Sequence, residues 1–463
     1  MSPKKKKKFL STWIVAGILV VLVGVSLYLD RGDKLDRNKI KIFELVKEDL
    51  KSFDLVNNIT KESVLCEKYG NDWAMVKPKP YEIEKTEVDA VVTNLAALSI
   101  DRKLEKPEVL ADYGLENPSN AVIFSLKNGK KKTLLIGDKN PTGTFYYVKD
   151  KEGKDVYIAY SFSIENLIKT TDSLRKKSLF DIETEKVSRI DLKYETKEFS
   201  LVKGEDKKWV ISPYGFKAKG EETDNFLKSM KELKAKSIVD DNGTDLKKYG
   251  LSAPRFILTA SIGEKKIAVF IGKKHLTKDE DYAKLDGSPV IYSIDTAYLR
   301  GADKNYNDFR EKKLLYFTES DFNEIEIMKG KKKLVAKKSG SGKYSLTEPV
   351  LSAWDKSGDK PAGAKSVEVP YANFVRSLIT LEAKSFVDDS GKKFEKYGLK
   401  NPSCAITLYS MENNEKKFKA KIFLGDVVNS EYYAKIDSSE SVFLVSSDVT
   451  EKLKEIEKTI EAK

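Results

Sequence analysis

A six-residue motif that occurs three times constrains this chain more than any other feature. Tyr113-Gly114-Leu115-Glu116-Asn117-Pro118 returns as Tyr249-Gly250-Leu251-Ser252-Ala253-Pro254 and as Tyr397-Gly398-Leu399-Lys400-Asn401-Pro402, at spacings of 136 and 148 residues. Self-similarity at such a period means a tandem array of one unit. Other landmarks keep step with the motif. Trp73 and Trp209 stand 40 residues before the first two tyrosines, each leading to a proline, Pro78 and Pro213. The third copy has Tyr344 and Pro349, 53 residues before Tyr397, and the extra length matches a Gly-, Ser-, Lys- and Ala-rich stretch around Ser352 to Lys365. Downstream come Ile136-Gly137-Asp138, Ile271-Gly272-Lys273 and Leu424-Gly425-Asp426, then Tyr147-Val148-Lys149, Tyr282-Ala283-Lys284 and Tyr433-Ala434-Lys435. Each unit opens at an arginine, Arg37, Arg175 or Arg310, which sets modules at 37–174, 175–309 and 310–463.

Periodicity gives each module a layout. In the second, the alternation of Arg189 to Tyr194, then Phe199 to Val202 and Trp209 to Ile211, predicts an antiparallel meander. Phe226, Leu227, Met230 and Leu233 fall at helical spacing within Thr223 to Lys234, with Glu222-Thr223 as the expected capped start. Equivalent helices are expected near Thr86 to Leu98 and Tyr371 to Leu381. Four strands follow the motif, at Phe256 to Ser261, Lys266 to Ile271, Tyr282 to Leu285 and Val290 to Ile294, before a helical connector. The expected fold class is α+β: one N-terminal transmembrane helix followed by three tandem homologous modules with antiparallel sheets.

The transmembrane expectation comes from Phe9 to Leu29, 21 uncharged residues behind the run Lys4 to Lys8 and closed by Asp30 and Arg31. As a helix this run spans about 31 Å, enough to cross a bilayer. Trp13 and Tyr28 lie near its ends, where aromatic rings favour the interface, and the lysines favour the cytoplasmic side. Residues 1–8 then form a cytoplasmic polybasic tail, 9–29 a bilayer-spanning helix and 30–36 a linker, with everything from Asp30 onward outside the cytoplasm. A cleaved signal peptide shares the basic head and apolar run, but its apolar core is ordinarily 7–15 residues, and Gly24-Val25-Ser26 lies inside the run.

Composition removes classes of chemistry. The single histidine, His275, and two distant cysteines, Cys66 and Cys404, leave no multi-histidine metal site, no paired-cysteine knuckle and no disulfide framework. The net charge is +12, of which the lysine run supplies five, and only nine of the 84 basic residues are arginine. Nucleic acid is therefore not expected as a partner, since base and phosphate recognition leans on arginine's planar fork. Neither a phosphate loop nor a dinucleotide fingerprint occurs, Gly340-Ser341-Gly342-Lys343 reading as a hairpin turn. A hydrolase working with carboxylates alone remains compatible with these counts.

The repeated residues read as structural. Tyr-Gly-Leu-x-x-Pro has the order of a Schellman helix end, with glycine in the left-handed conformation, an apolar contact after it and a proline that stops continuation. The alternative is a tyrosine lining a ligand groove in every unit. Gly137, Gly272 and Gly425 are expected at strand turns or bulges rather than around a phosphate. Asp240-Asp241 and Asp388-Asp389 are expected in solvated turns, unit one having Asp101-Arg102. Lys149, Lys284 and Lys435 are expected on strand edges, where a charge blocks edge-to-edge pairing, with an anionic ligand as the alternative.

At these residues the chain resembles a bacterial family known as domain of unknown function 4340. Its members share an N-terminal membrane segment, a lysine-rich extracytoplasmic region and repeats carrying the same three elements. The resemblance implies a place in the bacterial inner membrane and an accessory role, because members are often encoded beside gliding-type ABC transporter subunits. No catalytic, cofactor or metal residues come with it. The expected function is thus a non-enzymatic, membrane-anchored extracytoplasmic binding or scaffold protein, partnered by the lipid bilayer and by an ABC transporter permease or other envelope proteins. The alternative is an envelope module that binds glycan, peptidoglycan or lipid through an exposed row of the repeated tyrosines.

Overall fold

The computed structural model describes residues 40–461 apart from 106, 108, 339–343, 349–370 and 414. The expected membrane span, Arg37, Pro349 and the third module's insertion lie outside the described residues. Among the described residues no helix is long and apolar enough to cross a membrane.

Three antiparallel sheets follow one plan. In the first module β1 (Leu50–Asn57), β2 (Glu62–Tyr69) and β3 (Asp72–Met75) form a meander. After the helix Lys85–Ala96 come β4 (Ile100–Lys103), β5 (Asn120–Leu126), β6 (Lys131–Lys139), β7 (Phe145–Asp150) and β8 (Tyr157–Tyr160). They assemble in the order β3-β2-β1-β5-β6-β7-β8-β4. The second sheet repeats this with β9 (Arg189–Tyr194), β10 (Glu198–Lys203), β11 (Trp209–Ser212), a short β12 (Phe216–Lys217), β13 (Ser237–Asp240), β14 (Phe256–Ile262), β15 (Lys265–Lys274), β16 (Glu280–Leu285) and β17 (Ile291–Asp295). The third repeats it with β18 (Glu324–Lys329), β19 (Lys332–Lys338), β20 (Tyr344–Glu348), β21 (Ser385–Asp388), β22 (Cys404–Glu412), β23 (Glu415–Val428), β24 (Glu431–Ile436) and β25 (Val442–Ser446). The central pairing joins the first meander strand to the strand after the motif, as in Leu192 opposite Leu258 and Ile190 opposite Ala260.

The alternation does what period two predicts. Ile190, Leu192, Leu258, Ala260 and Val269 are buried on one face, and the helix Gly220–Glu232 has Phe226, Leu227 and Met230 buried. In the third module Phe374, Val375 and Leu378 of the helix Tyr371–Ile379 join Ile325, Ile406 and Ile422 in one core. In the first, Val88, Val91, Val92 and Leu95 join Phe53, Phe124 and Val148. The helix in the second module starts at Gly220 rather than Thr223. Its N-cap is Lys219, and Thr223 lies inside, fully buried, its hydroxyl donating to the Lys219 carbonyl at 3.1 Å. Strands β4, β13 and β21 are additions to the expected layout: four residues each, they close the far edge of each sheet against its last strand.

Contacts divide the chain into two compact units, one ending at Ser178 with Ala235–Ile238 added, the other formed by Leu179–Lys234 and the residues from Val239 on. Both cysteines are free and buried. Burial, with the nearby Asp54 carboxylate, pushes the Cys66 thiol up to about 12, and burial pushes Cys404 up to about 11. With so little thiolate at pH 8, neither should react with a disulfide reagent until denaturant is added. Rapid labelling of the native protein would contradict this.

Candidate functional site

The motif is a tight turn laid on the face of the sheet opposite the helix. Leu110–Tyr113, Leu246–Tyr249 and Phe394–Tyr397 are single 3-10 turns, each ended by glycine at φ +65°, +69° and +67°. The N–H of Leu251 donates to the Leu246 carbonyl at 2.9 Å and that of Gly250 to Lys247 at 3.1 Å. The same two bonds recur from Leu115 and Gly114, and from Leu399 and Gly398, giving three Schellman ends. Pro118, Pro254 and Pro402 each stand two residues before the next strand. Leu115, Leu251 and Leu399 are buried, as are Tyr249 and Tyr397, while Tyr113 is half-buried. Tyr249, Leu251 and Ile291 form a small second core with Phe270 and Tyr282, and Tyr397, Leu399 and Val442 form its counterpart.

The three repeated elements are therefore parts of one contact. The tyrosine of the motif packs against the tyrosine of Tyr-x-Lys at 4.9, 5.0 and 4.9 Å between ring centres, for Tyr113–Tyr147, Tyr249–Tyr282 and Tyr397–Tyr433. Gly137, Gly272 and Gly425 lie against the carbonyls of Tyr113, Tyr249 and Tyr397, so closely that a Cβ would overlap the oxygen. Each also sits where the strand register shifts. The bulge re-aims the strand and the glycine lets the turn's backbone touch it.

Two expectations are corrected here. Lys149, Lys284 and Lys435 are not on strand edges, because β7, β16 and β24 are interior strands. Their ammonium groups close local structure instead: Lys149 donates to the carbonyls of Asp150, Lys151 and Gly153, Lys284 to Leu285, and Lys435 lies 4.1 Å from the centre of the Phe394 ring. The aspartate pairs are not merely solvated. Asp240 accepts from the Tyr249 hydroxyl at 2.9 Å and Asp388 from Tyr397 at 3.2 Å, while Asp389 accepts from Arg310 at 2.8 Å. In unit one, Asp101 accepts from Tyr160. His275 is half-buried, its ring 5.5 Å from Tyr282 and its Nδ1 accepting from the Thr277 N–H.

The tyrosine tether gives two predictions. Tyr249→Phe removes a bond to a carboxylate and should cost about 1–2 kcal/mol in denaturant unfolding, without disturbing the turn. No loss would mean that the tether carries nothing. Burial, with the Asp240 and Asp388 acceptors, raises the Tyr249 and Tyr397 phenols, and burial pushes Tyr298 up to about 12. The folded state therefore holds protons that the unfolded state releases near pH 10. This stability is fully present below pH 10 and is lost as pH rises through the folded values. A denaturation midpoint that holds up to pH 10 and falls as pH rises from 10 towards 12, with tyrosinate absorbance appearing late, is the expected result.

The opening arginines Arg175 and Arg310 occupy one structural position. Arg175 is 7% exposed, its guanidinium 3.6 Å from the Tyr81 ring centre, and its backbone bridges Ile83. Arg310 is 6% exposed and bridges Ala218, between Phe216 at 3.5 Å and Phe386 at 3.7 Å. It donates to Asp389 and, at 2.6 Å, to the Ser441 hydroxyl, so it ties the second module to the third.

Beside this joint, at the β12 edge of the second sheet, lies a cleft of about 830 Å³. Trp209 lines it, the β10–β11 hairpin contributes Lys203, Lys207 and Lys208, and the connector contributes Glu311 and Tyr316. A second cleft of about 280 Å³ shares Lys217, Glu311 and Tyr316 with it. Sequence reading passed over Tyr316, since it belongs to no repeated element. Among the described residues no cluster of His, Cys, Asp or Glu is arranged to hold a metal ion.

The domain of unknown function DUF4340 matches three successive segments, 73–211, 209–365 and 360–462. The chain belongs to this family. The first two DUF4340 segments start at the landmarks Trp73 and Trp209 rather than at the arginines, so the first ends on β11 of the second sheet, and the third starts at residue 360. A search of the curated proteins finds no match to the chain.

Proposed function

We propose that this DUF4340 protein is a non-enzymatic scaffold, held in the bacterial inner membrane by residues 9–29 with its modules outside the cytoplasm, and that it serves an ABC-type transporter as an accessory component. The observation that carries the reading is the use made of the repeated residues. Among the described residues, the tyrosine, glycine, leucine and lysine of the recurring elements and the arginines Arg175 and Arg310 go into turn, sheet and joint contacts, which is what an array built to span and present surface requires. The burial of Tyr249 and Tyr397 removes the exposed row on which a tyrosine-based envelope reading rested.

The test is affinity capture of the full-length protein from membranes in mild detergent, with a chain lacking residues 1–29 as control. Recovery of permease or ATPase subunits is the expected result, and the control assigns the contact to anchor or modules. If no transporter subunit is recovered, or the protein fractionates without membranes, the proposal fails.

A further inference from the structure

Independently of the scaffold reading, we propose that the lysine-lined cleft at the β12 edge binds an acidic polysaccharide, with Tyr316 as the ring on which a sugar stacks. Tyr316 is 52% exposed and stands between the two clefts, its hydroxyl turned to Glu311 and the exposed part of its ring offered to a ligand. A large aromatic kept in water at a concave surface is costly unless something covers it. Desolvation and the neighbouring Glu311 push its phenol up to about 12, which keeps it a neutral hydrogen-bond donor.

The charges around it select the ligand. Lys217 holds its ammonium 4.5 Å from the Tyr316 ring centre, Lys313 lies at 5.7 Å, and Lys203 lies 5.3 Å from the Trp209 ring. Among the described residues these three cations have no carboxylate within ion-pair distance. Lys217 and Lys313 rest on the Tyr316 ring, and Lys203 lies over Trp209 while donating to the Glu185 carbonyl at 3.5 Å, contacts worth less than a desolvated charge pair and readily exchanged for an anion. The cleft also carries Asp206, Asp224 and Glu311. A dense polyphosphate would set its charges against all three. A chain of sugar rings fits better: its spaced carboxylates meet the lysines, its hydroxyls donate to the aspartates and glutamate, and its apolar ring face covers Tyr316.

The test measures binding of the full-length protein in mild detergent to polygalacturonate, with dextran as the neutral polymer and inorganic polyphosphate as the charge control. Polygalacturonate should bind and dextran should not. Tyr316→Ala and Lys217→Ala alter exposed side chains and should leave the melting temperature in place, yet the first should weaken polygalacturonate binding about tenfold and the second several-fold. No binding of polygalacturonate overturns the proposal. So does polyphosphate binding as tightly, or full binding by Tyr316→Ala, since either reduces the site to charge alone.

Discussion

Gly272→Ala is expected to destabilise the unit containing the second and third modules by about 3 kcal/mol, at the upper end of what overpacking costs. The added methyl group would point at the Tyr249 carbonyl oxygen, with the Leu251 side chain 3.1 Å away, and backbone cannot turn aside as a side chain can. Relief requires lifting the whole Schellman turn from the sheet, which opens the small core of Tyr249, Leu251 and Ile291 and stretches the tether to Asp240. Gly263→Ala separates this clash from ordinary backbone strain. Gly263 has φ +57° but nothing within 4 Å of a Cβ, so its replacement should cost only the left-handed penalty, about 1 kcal/mol. Unfolding in denaturant, followed by far-ultraviolet circular dichroism, checks both. Equal costs at the two positions would show that the contact between the repeated elements does not hold the module together.

Arg310→Ala should cost a similar amount, about 3–5 kcal/mol, and change the shape of the transition as well as its midpoint. The guanidinium is buried between two rings and donates to Asp389 and Ser441, so its loss leaves a cavity and unpaired acceptors. Tyr306 still donates to Asp389 at 3.2 Å, and that carboxylate is 22% exposed, which favours the lower end of the range. Because the arginine belongs to the joint and not to either sheet, calorimetry should resolve the second and third modules as separate transitions in the variant. Arg310→Lys should restore only a minor part: ammonium keeps the charge but loses the planar stack and the fork that reaches two acceptors. A single unshifted transition in Arg310→Ala would refute the role assigned to this residue.

Much of each module was legible because its signals are local. Alternation at Arg189 to Tyr194 and helical spacing from Phe226 to Met230 need only a few residues of context, and the observed β9 and helix Gly220–Glu232 follow them closely. The Schellman turn was legible for the same reason. Strand β13 was not, because its four residues lie at a sheet edge and carry no alternation of burial. The lysines were misplaced because an edge strand and an interior strand have the same local pattern. Asp389 was read as solvated because its partner lies 79 residues away.

By itself the amino-acid sequence determined the number of modules, the meander, the helix and the four strands after the motif in each, and the turn that every module repeats. These follow from side-chain periodicity and from backbone preferences that act over less than ten residues. The tertiary structure alone decided which elements meet: that the strand after the motif pairs with the first strand of the meander, that a glycine in β15 receives the carbonyl of Tyr249, and that Arg310 closes between Phe216 and Phe386. Periodicity says which face of a strand is apolar but is blind to which neighbour covers it. That choice is made by closing long loops around a shared core, where the burial gained must exceed the entropy of closure.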